Sequence, residues 1–194
     1  MTSDSATASQ PSGSTAKPIP LQGRWVTLRP VYPPDYQALY EMAISYQVGY
    51  RWRFRGAVPD FETFVQSLHG DVLSQFIVTK HDSPAPIGLV VCYCADLNNG
   101  TAYMAEMMAG QVATGLGVNA AAIFGHYLFS TWAFRKLYME VPAYNLSQFE
   151  SAIPEFLTIE GRLSDHLFYG DRYWDMVVLA AHRSRATKFS ERYL

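Results

Sequence analysis

Along residues 26–30, apolar Val26 and Leu28 alternate with polar Thr27 and Arg29, the period of a short strand. Pro33 and Pro34 then favour a helix start, and Tyr36, Leu39, Tyr40 and Ala43 follow at helical spacing. Asp60 is an N-cap residue for a second helix that keeps Phe61, Phe64, Val65 and Leu68 on one face. Residues 75–80 and 87–95 read as strands joined by the proline-rich turn at 82–86. Leu97, Asn98, Asn99 and Gly100 carry hairpin chemistry into the next strand, residues 101–109. The small residues of 109–117 open a long helix in which Leu116, Ala120, Ile123, Tyr127 and Thr131 share a face, ending near Trp132. Residues 137–141 form a further strand, and Asn145 begins a short helix that stops by Pro154. Residues 156–169 and 172–181 make a closing hairpin across Gly170 and Asp171. The resulting order, β-α-α-β-β-β-α-β-α-β-β, is a mixed α/β (α+β) domain of about seven strands and about four helices.

Residues 1–20 break this pattern. They are built from Ser, Thr, Ala, Pro and Gly with a single isoleucine, too little apolar surface to offset ordering, and read as a disordered tail. The folded domain is expected over residues 21–183, followed by a basic, solvated tail over 184–194. At 194 residues a single domain is the expectation. Charged residues are 16% and hydrophobic ones 49%, so the chain folds and hides surface in a pocket or a homodimer. A net charge of −2 lacks the basic footprint of a nucleic-acid binder. No apolar run reaches the roughly 18–20 residues of a membrane span, and the start of the chain does not read as a secretory signal, so the expected address is cytoplasmic. Cys92 and Cys94 sit two apart on one strand, which points both thiols to one face and suits reduced cysteines rather than a mutual disulfide.

The informative stretch is the strand 101–109, the small-residue turn and the long helix. A helix start of this kind offers free N–H groups and a positive dipole end to a phosphate, and Gly115 and Gly117 leave room for a large anion. No lysine follows as in a Walker loop, and the third glycine of the dinucleotide fingerprint is missing.

From about Trp25 to Arg183 the chain resembles the GNAT acyltransferase superfamily, in the branch of the ribosomal-protein N-terminal acetyltransferases. The acyl-CoA pyrophosphate loop of that family reads Gln/Arg-x-x-Gly-x-Gly/Ala at the start of the long helix. Here Val112, Ala113, Thr114, Gly115, Leu116 and Gly117 occupy it. Both glycines match; Val112 replaces the leading residue, with Gln111 one place early. Asn145 matches the family's Asn-x-x-Ser helix entry, with Gln148 at the serine position and Ser147 beside it. Residues 159–166 and 170–175 resemble the branch's closing strand pair, although Phe156 and Leu157 stand where Gly-Phe is usual.

The resemblance implies a mostly antiparallel twisted sheet whose strands before the loop and after the long helix splay apart to admit the pantetheine arm. It implies acetyl-CoA, or another acyl-CoA, as cosubstrate and no metal. Val112, Ala113, Gly115, Gly117 and Val118 would hold the pyrophosphate, Asn145 the CoA arm, and a backbone N–H near Met107 the thioester carbonyl. An amine attacks directly, so positioning and proton transfer are the chemistry required. Glu106, the one carboxylate on the strand before the loop, is read either as a base with a raised pKa among Ala and Met side chains or as an outward-facing surface residue. Asn145 is equally a helix N-cap, Ser147 a donor to the departing thiolate or a first-turn serine, and His166 an assisting group or a structural histidine. Arg53, Tyr103 and His166 are the acceptor-side candidates.

Arg51, Arg53 and Arg55 alternate with Tyr50, Trp52 and Phe54 between the first two helices. In an extended segment the guanidinium groups would share one side, either to meet a carboxylate, a phosphate or an acidic carrier protein, or simply to face water. The expected acceptor is a primary amine of a small molecule, an antibiotic-like compound or a peptide N-terminus. Two alternatives stay open: a longer acyl chain or carrier-protein thioester as donor, and a non-catalytic acyl-CoA-binding or scaffolding protein.

Overall fold

Strand pairing in the computed structural model, which describes residues 21–110, 114–150, 152–153 and 155–194, runs through one eight-stranded sheet. Its strands are β1 (Leu21–Gln22), β2 (Val26–Arg29), β3 (Val72–Lys80), β4 (Pro86–Asp96), β5 (Thr101–Met108), β6 (Lys136–Pro142), β7 (Leu157–Tyr169) and β8 (Arg172–His182). They lie in the order β1-β2-β3-β4-β5-β6-β8-β7. Every neighbouring pair is antiparallel except β5 and β6, which are parallel because helix α3 (Thr114–Thr131) crosses over between them. This agrees with the expected fold, with one more strand than the hydrophobic pattern predicts: β1 is too short to alternate.

Two cores flank the sheet. On one face α3 packs Ile123, Phe124 and Leu128 against Val26, Val78, Val90, Ala102 and Leu137. On the other, α1 (Tyr36–Ile44) and α2 (Phe61–Ser67) bury Leu39, Ala43, Phe64 and Leu68 against Ile77, Leu89, Val91 and Met107. Asp60 caps α2 as expected, accepting from the Thr63 N–H at 2.8 Å. Arg29 and Asp35 clamp the entry to α1 through two bonds of 2.8 and 2.7 Å. Among the described residues no helix is long and apolar enough to cross a membrane.

Four expectations are corrected. Residues 184–194 are not a solvated tail: Arg183–Ser190 form α4, which buries Ala186, Phe189 and Ser190 beside α3. Arg183 itself donates to the Phe129, Trp132 and Phe134 carbonyls at 2.5–2.6 Å, closing the C-terminal end of α3. Asn145 caps nothing, since the segment Ala143–Phe149 is a 3-10 turn entered from Pro142. Residues 49–56 coil through successive turns rather than extend, with the Arg51 and Trp52 N–H groups both bonded to the Val48 carbonyl. Cys92 is buried while Cys94 adopts a positive φ of 46° in the irregular end of β4 and is exposed, so the thiols do not share a face.

Candidate active site

β5 and β6 pair only at Thr101↔Lys136, Ala102↔Leu137 and Tyr103↔Tyr138, and then part. From Met104 on β5 and Met139 on β6 the facing backbone edges have no strand between them, and the gap opens into a cleft of about 440 Å³. Backbone groups left free along such a gap are ready to pair with an extended, amide-bearing ligand as with an added strand.

Which groups face the gap follows from alternation. Ala109 donates its N–H to Ile87 of β4, and the β4–β5 register runs without a shift from Gly88↔Met108 to Tyr93↔Tyr103. Odd-numbered residues of β5 therefore spend their N–H and C=O on β4, and Met104, Glu106 and Met108 present theirs to the gap. The expectation of an N–H near Met107 is narrowed to its two neighbours on this ground: Met107 lines the cleft, but its own N–H is turned to β4 and its side chain is buried against α1 and α2.

The same alternation sets the side chains. Met104, Glu106 and Met108 point toward α3, and Tyr103, Ala105 and Met107 toward the α1–α2 face. Glu106 lines the cleft on the α3 side with Gly117, Val118 and Ala121. Its Oε1 is sealed from solvent and has no hydrogen-bond partner. Burial pushes its carboxyl up to about 8. Across the sheet Trp52 is also buried in the cleft wall, and its indole N–H has no partner either. Two unspent polar atoms, one an acid and one a donor, thus border the same opening.

Of the remaining expected residues, Gly117, Val118 and Asn145 line the cleft. Gly115 stands at the start of α3 with open space around it. Val112 and Ala113 lie outside the described residues. Ser147 is exposed and away from the cleft, and Gln148 takes the place beside Asn145. His166 is exposed on the β7–β8 hairpin, outside the cleft. Arg53 is turned away: it donates to the Ser67 carbonyl and its guanidinium lies 5.7 Å from the Trp52 ring, leaving Arg51 as the arginine of that loop in the cleft wall. Tyr103 sits just below the fork, between Tyr93 and Tyr138.

The pattern reading missed Trp52, Tyr93 and Glu140, all in the cleft wall. Glu140 was findable, because it falls two residues after Tyr138 on a strand of period two. A rim joins the 46–56 loop to the closing hairpin through Tyr50, Tyr144 and Tyr169, with ring centroids 4.9 and 4.8 Å apart, and through a 3.3 Å bond from the Tyr144 hydroxyl to the Tyr50 carbonyl. Among the described residues no cluster of His, Cys, Asp or Glu is placed to hold a metal ion.

No protein-family model matches the sequence, and no characterised protein matches it by sequence. Solved structures do match the fold. A GCN5-related N-acetyltransferase from Brucella melitensis superposes with a TM-score of 0.71 at 19% identity, covering 90% of this chain and 84% of that one. The spermidine N-acetyltransferase of Vibrio cholerae, in complex with CoA and spermine, gives 0.67 at 20% identity over 84% and 98%. A GNAT-family acetyltransferase of Bacillus anthracis gives 0.66 at 15% identity over 86% and 99%. Sheet order, the forked β5–β6 pair and these superpositions agree: the chain has the fold of the GNAT acetyltransferases.

Proposed function

We propose that this protein is an acyl-CoA-dependent N-acetyltransferase that moves an acetyl group from acetyl-CoA to a primary amine. The observation that carries the reading is the fork between β5 and β6, which leaves the gap-facing N–H groups of Glu106 and Met108 beside a buried, unpartnered carboxyl. The pantetheine arm lies in the gap, with its pyrophosphate at the start of α3 near Gly115 and Gly117. A gap-facing N–H polarises the thioester carbonyl, whose oxygen gains charge as the tetrahedral intermediate forms. The amine nitrogen bonds to the carbonyl carbon, the C–S bond breaks, and CoA leaves as the thiolate. The ionised form of Glu106, the minor form below pH 8, takes the amine's proton through one water and passes it to the thiolate sulfur. A base titrating near 8 is well matched to an amine that is largely protonated at neutral pH.

Retaining a buried acid without a partner serves catalysis and does nothing for a passive CoA-binding protein, which favours the enzyme over the scaffold reading. Transfer of a longer acyl chain has one observation in its favour. Met104, Ala121, Met139 and Phe156 border both the cleft and a small apolar pocket beneath α3, and methionines yield readily to a chain.

The test is thiol release from acetyl-CoA with a panel of primary amines, for the protein and for Glu106→Gln. Turnover that falls about 100- to 10,000-fold in the variant, with acetyl-CoA affinity kept, is the expected result. Acetyl-CoA binding without turnover on any amine would leave a non-catalytic binder.

A further inference from the structure

Three tyrosines stand side by side at the closed end of the fork. Tyr93 of β4 is the register partner of Tyr103 on β5, and Tyr103 that of Tyr138 on β6. Their ring centroids are 5.8 and 5.5 Å apart. All three project on the α1–α2 face, the side opposite Glu106. Two residues beyond Tyr138, Glu140 projects on the same face where β6 leaves β5, exposed in the cleft wall. The small side chain of Ala105, two residues past Tyr103 on β5, lines the same cleft.

Among the described residues Arg51, in the cleft wall, makes no ion pair, while the other charges nearby are committed. Lys136 pairs with Glu160, which also meets His182 at 3.2 Å, and Arg53 is bonded to the Ser67 carbonyl. Among the described residues Glu140 makes no ion pair. Burial and then the Glu140 charge hold the Tyr93 phenol up, to about 12, against the opposing charge of Arg53, and burial and then Glu140 raise the Tyr103 phenol. By strand alternation Glu140 shares the face of these rings, and with Tyr93 it lines the cleft. At the other edge of the row an ammonium is already in place, with the Lys136 Nζ 5.8 Å from the Tyr138 ring centroid. Aromatic faces beside a carboxylate are the chemistry that holds an organic cation.

We propose that Glu140, with Tyr93, Tyr103 and Tyr138, binds a second cationic group on the acceptor, so that the acceptor is a diamine. This rests on the acetyltransferase reading for the placement of the reacting nitrogen. That nitrogen must stand at the gap-facing N–H groups of Glu106 and Met108. Glu140 lies about two residues below their midpoint, a distance of about 7 Å along the strand. The span matches the two nitrogens of an α,ω-diamine with about four or five carbons. The reacting amine must be neutral to attack, whereas the nitrogen held by Glu140 stays charged, so one carboxylate serves position and the other proton transfer.

The experiment is calorimetric binding of 1,4-diaminobutane, n-butylamine and 4-aminobutyrate to the full chain and to Glu140→Gln and Glu140→Asp, with acetyl-CoA titrated separately into each. The diamine should bind at least about tenfold more tightly than butylamine. Glu140→Gln should erase that preference, Glu140→Asp should keep part of it, and acetyl-CoA affinity should not change. Equal binding of diamine and butylamine, or a preference that survives Glu140→Gln, would overturn the assignment. So would tightest binding of 4-aminobutyrate, which would make Arg51 the governing charge. Loss of the acetyltransferase reading is read independently, from the acetyl-CoA titration and thiol release.

Discussion

Gly117 and Glu106 approach so closely that a Cβ on Gly117 would stand 2.9 Å from the Glu106 Oε1. At Gly115, by contrast, an added Cβ meets nothing within 4 Å. The two glycines at the start of α3 thus have different jobs. Gly115 leaves the surface open to an anion, and Gly117 makes room for a carboxyl that has no partner of its own.

Gly117→Ala tests that pairing. The atom it meets is the far end of a flexible side chain, so the carboxyl yields rather than the helix, and stability changes by less than about 1 kcal/mol. Displacing a catalytic group by about 1 Å costs up to about a hundredfold in rate. Turnover should fall by about ten- to a hundredfold in Gly117→Ala, with no further loss when the change is made in Glu106→Gln, because both act on one group. Additive losses in that double mutant would separate the two residues.

The buried acid also makes stability depend on pH. Folded, Glu106 keeps its proton to about pH 8; unfolded, it ionises near 4.5. Across that window the unfolded chain holds fewer protons, so this contribution is intact at the acid end and is lost as pH rises through 8. Glu106→Gln has no such proton to lose. Its melting temperature should exceed that of the parent at pH 8, by the equivalent of a few kcal/mol at most, and the gap should close toward pH 5. A pH-independent difference in thermal melts across pH 5–9 would show that the carboxyl is ionised in the fold.

The C-terminal segment should be structural. Arg183 holds three carbonyls at the end of α3, and Phe189 is buried. Arg183→Ala should cost about 2–4 kcal/mol, since hydrogen bonds to a charged group are worth about 1.5–3 kcal/mol each and the carbonyls are partly rehydrated. Truncation before Arg183 should cost at least as much in denaturant unfolding, and an unchanged midpoint would return the segment to a solvated tail.

Elements with a clear period were legible in the residues alone. The hairpin chemistry at 97–100 and the small-residue opening of α3 marked β5 and the helix start and named Glu106, whereas the fork was implied by the resemblance to the GNAT superfamily. What alternation does not carry is the face and the partner. Whether Met107 or its neighbours offer an N–H to the gap depends on the β4 register, a contact between segments that neither segment encodes by itself. The arginine alternation at 51–55 puts the guanidinium groups on one side only if the loop is extended, and turns anchored on Val48 coil it instead and send Arg53 to Ser67. Helix α4 is strongly polar with apolar positions only at Ala186 and Phe189, too sparse a stripe to stand out from a tail. Glu140 could be read as sharing the Tyr138 side of its own strand, but its neighbours Tyr93 and Tyr103 come from two other strands.

The central claim, a donor site in the β5–β6 fork with its phosphates at the start of α3, is tested most directly by titrating acetyl-CoA calorimetrically into the protein and into Gly115→Phe. The side chain at 115 projects into open space, so the variant should fold and melt within a few degrees of the parent. One acetyl-CoA should bind per parent chain, and binding should be abolished in Gly115→Phe. Unchanged affinity in a folded Gly115→Phe, or no binding to the parent, would contradict the account.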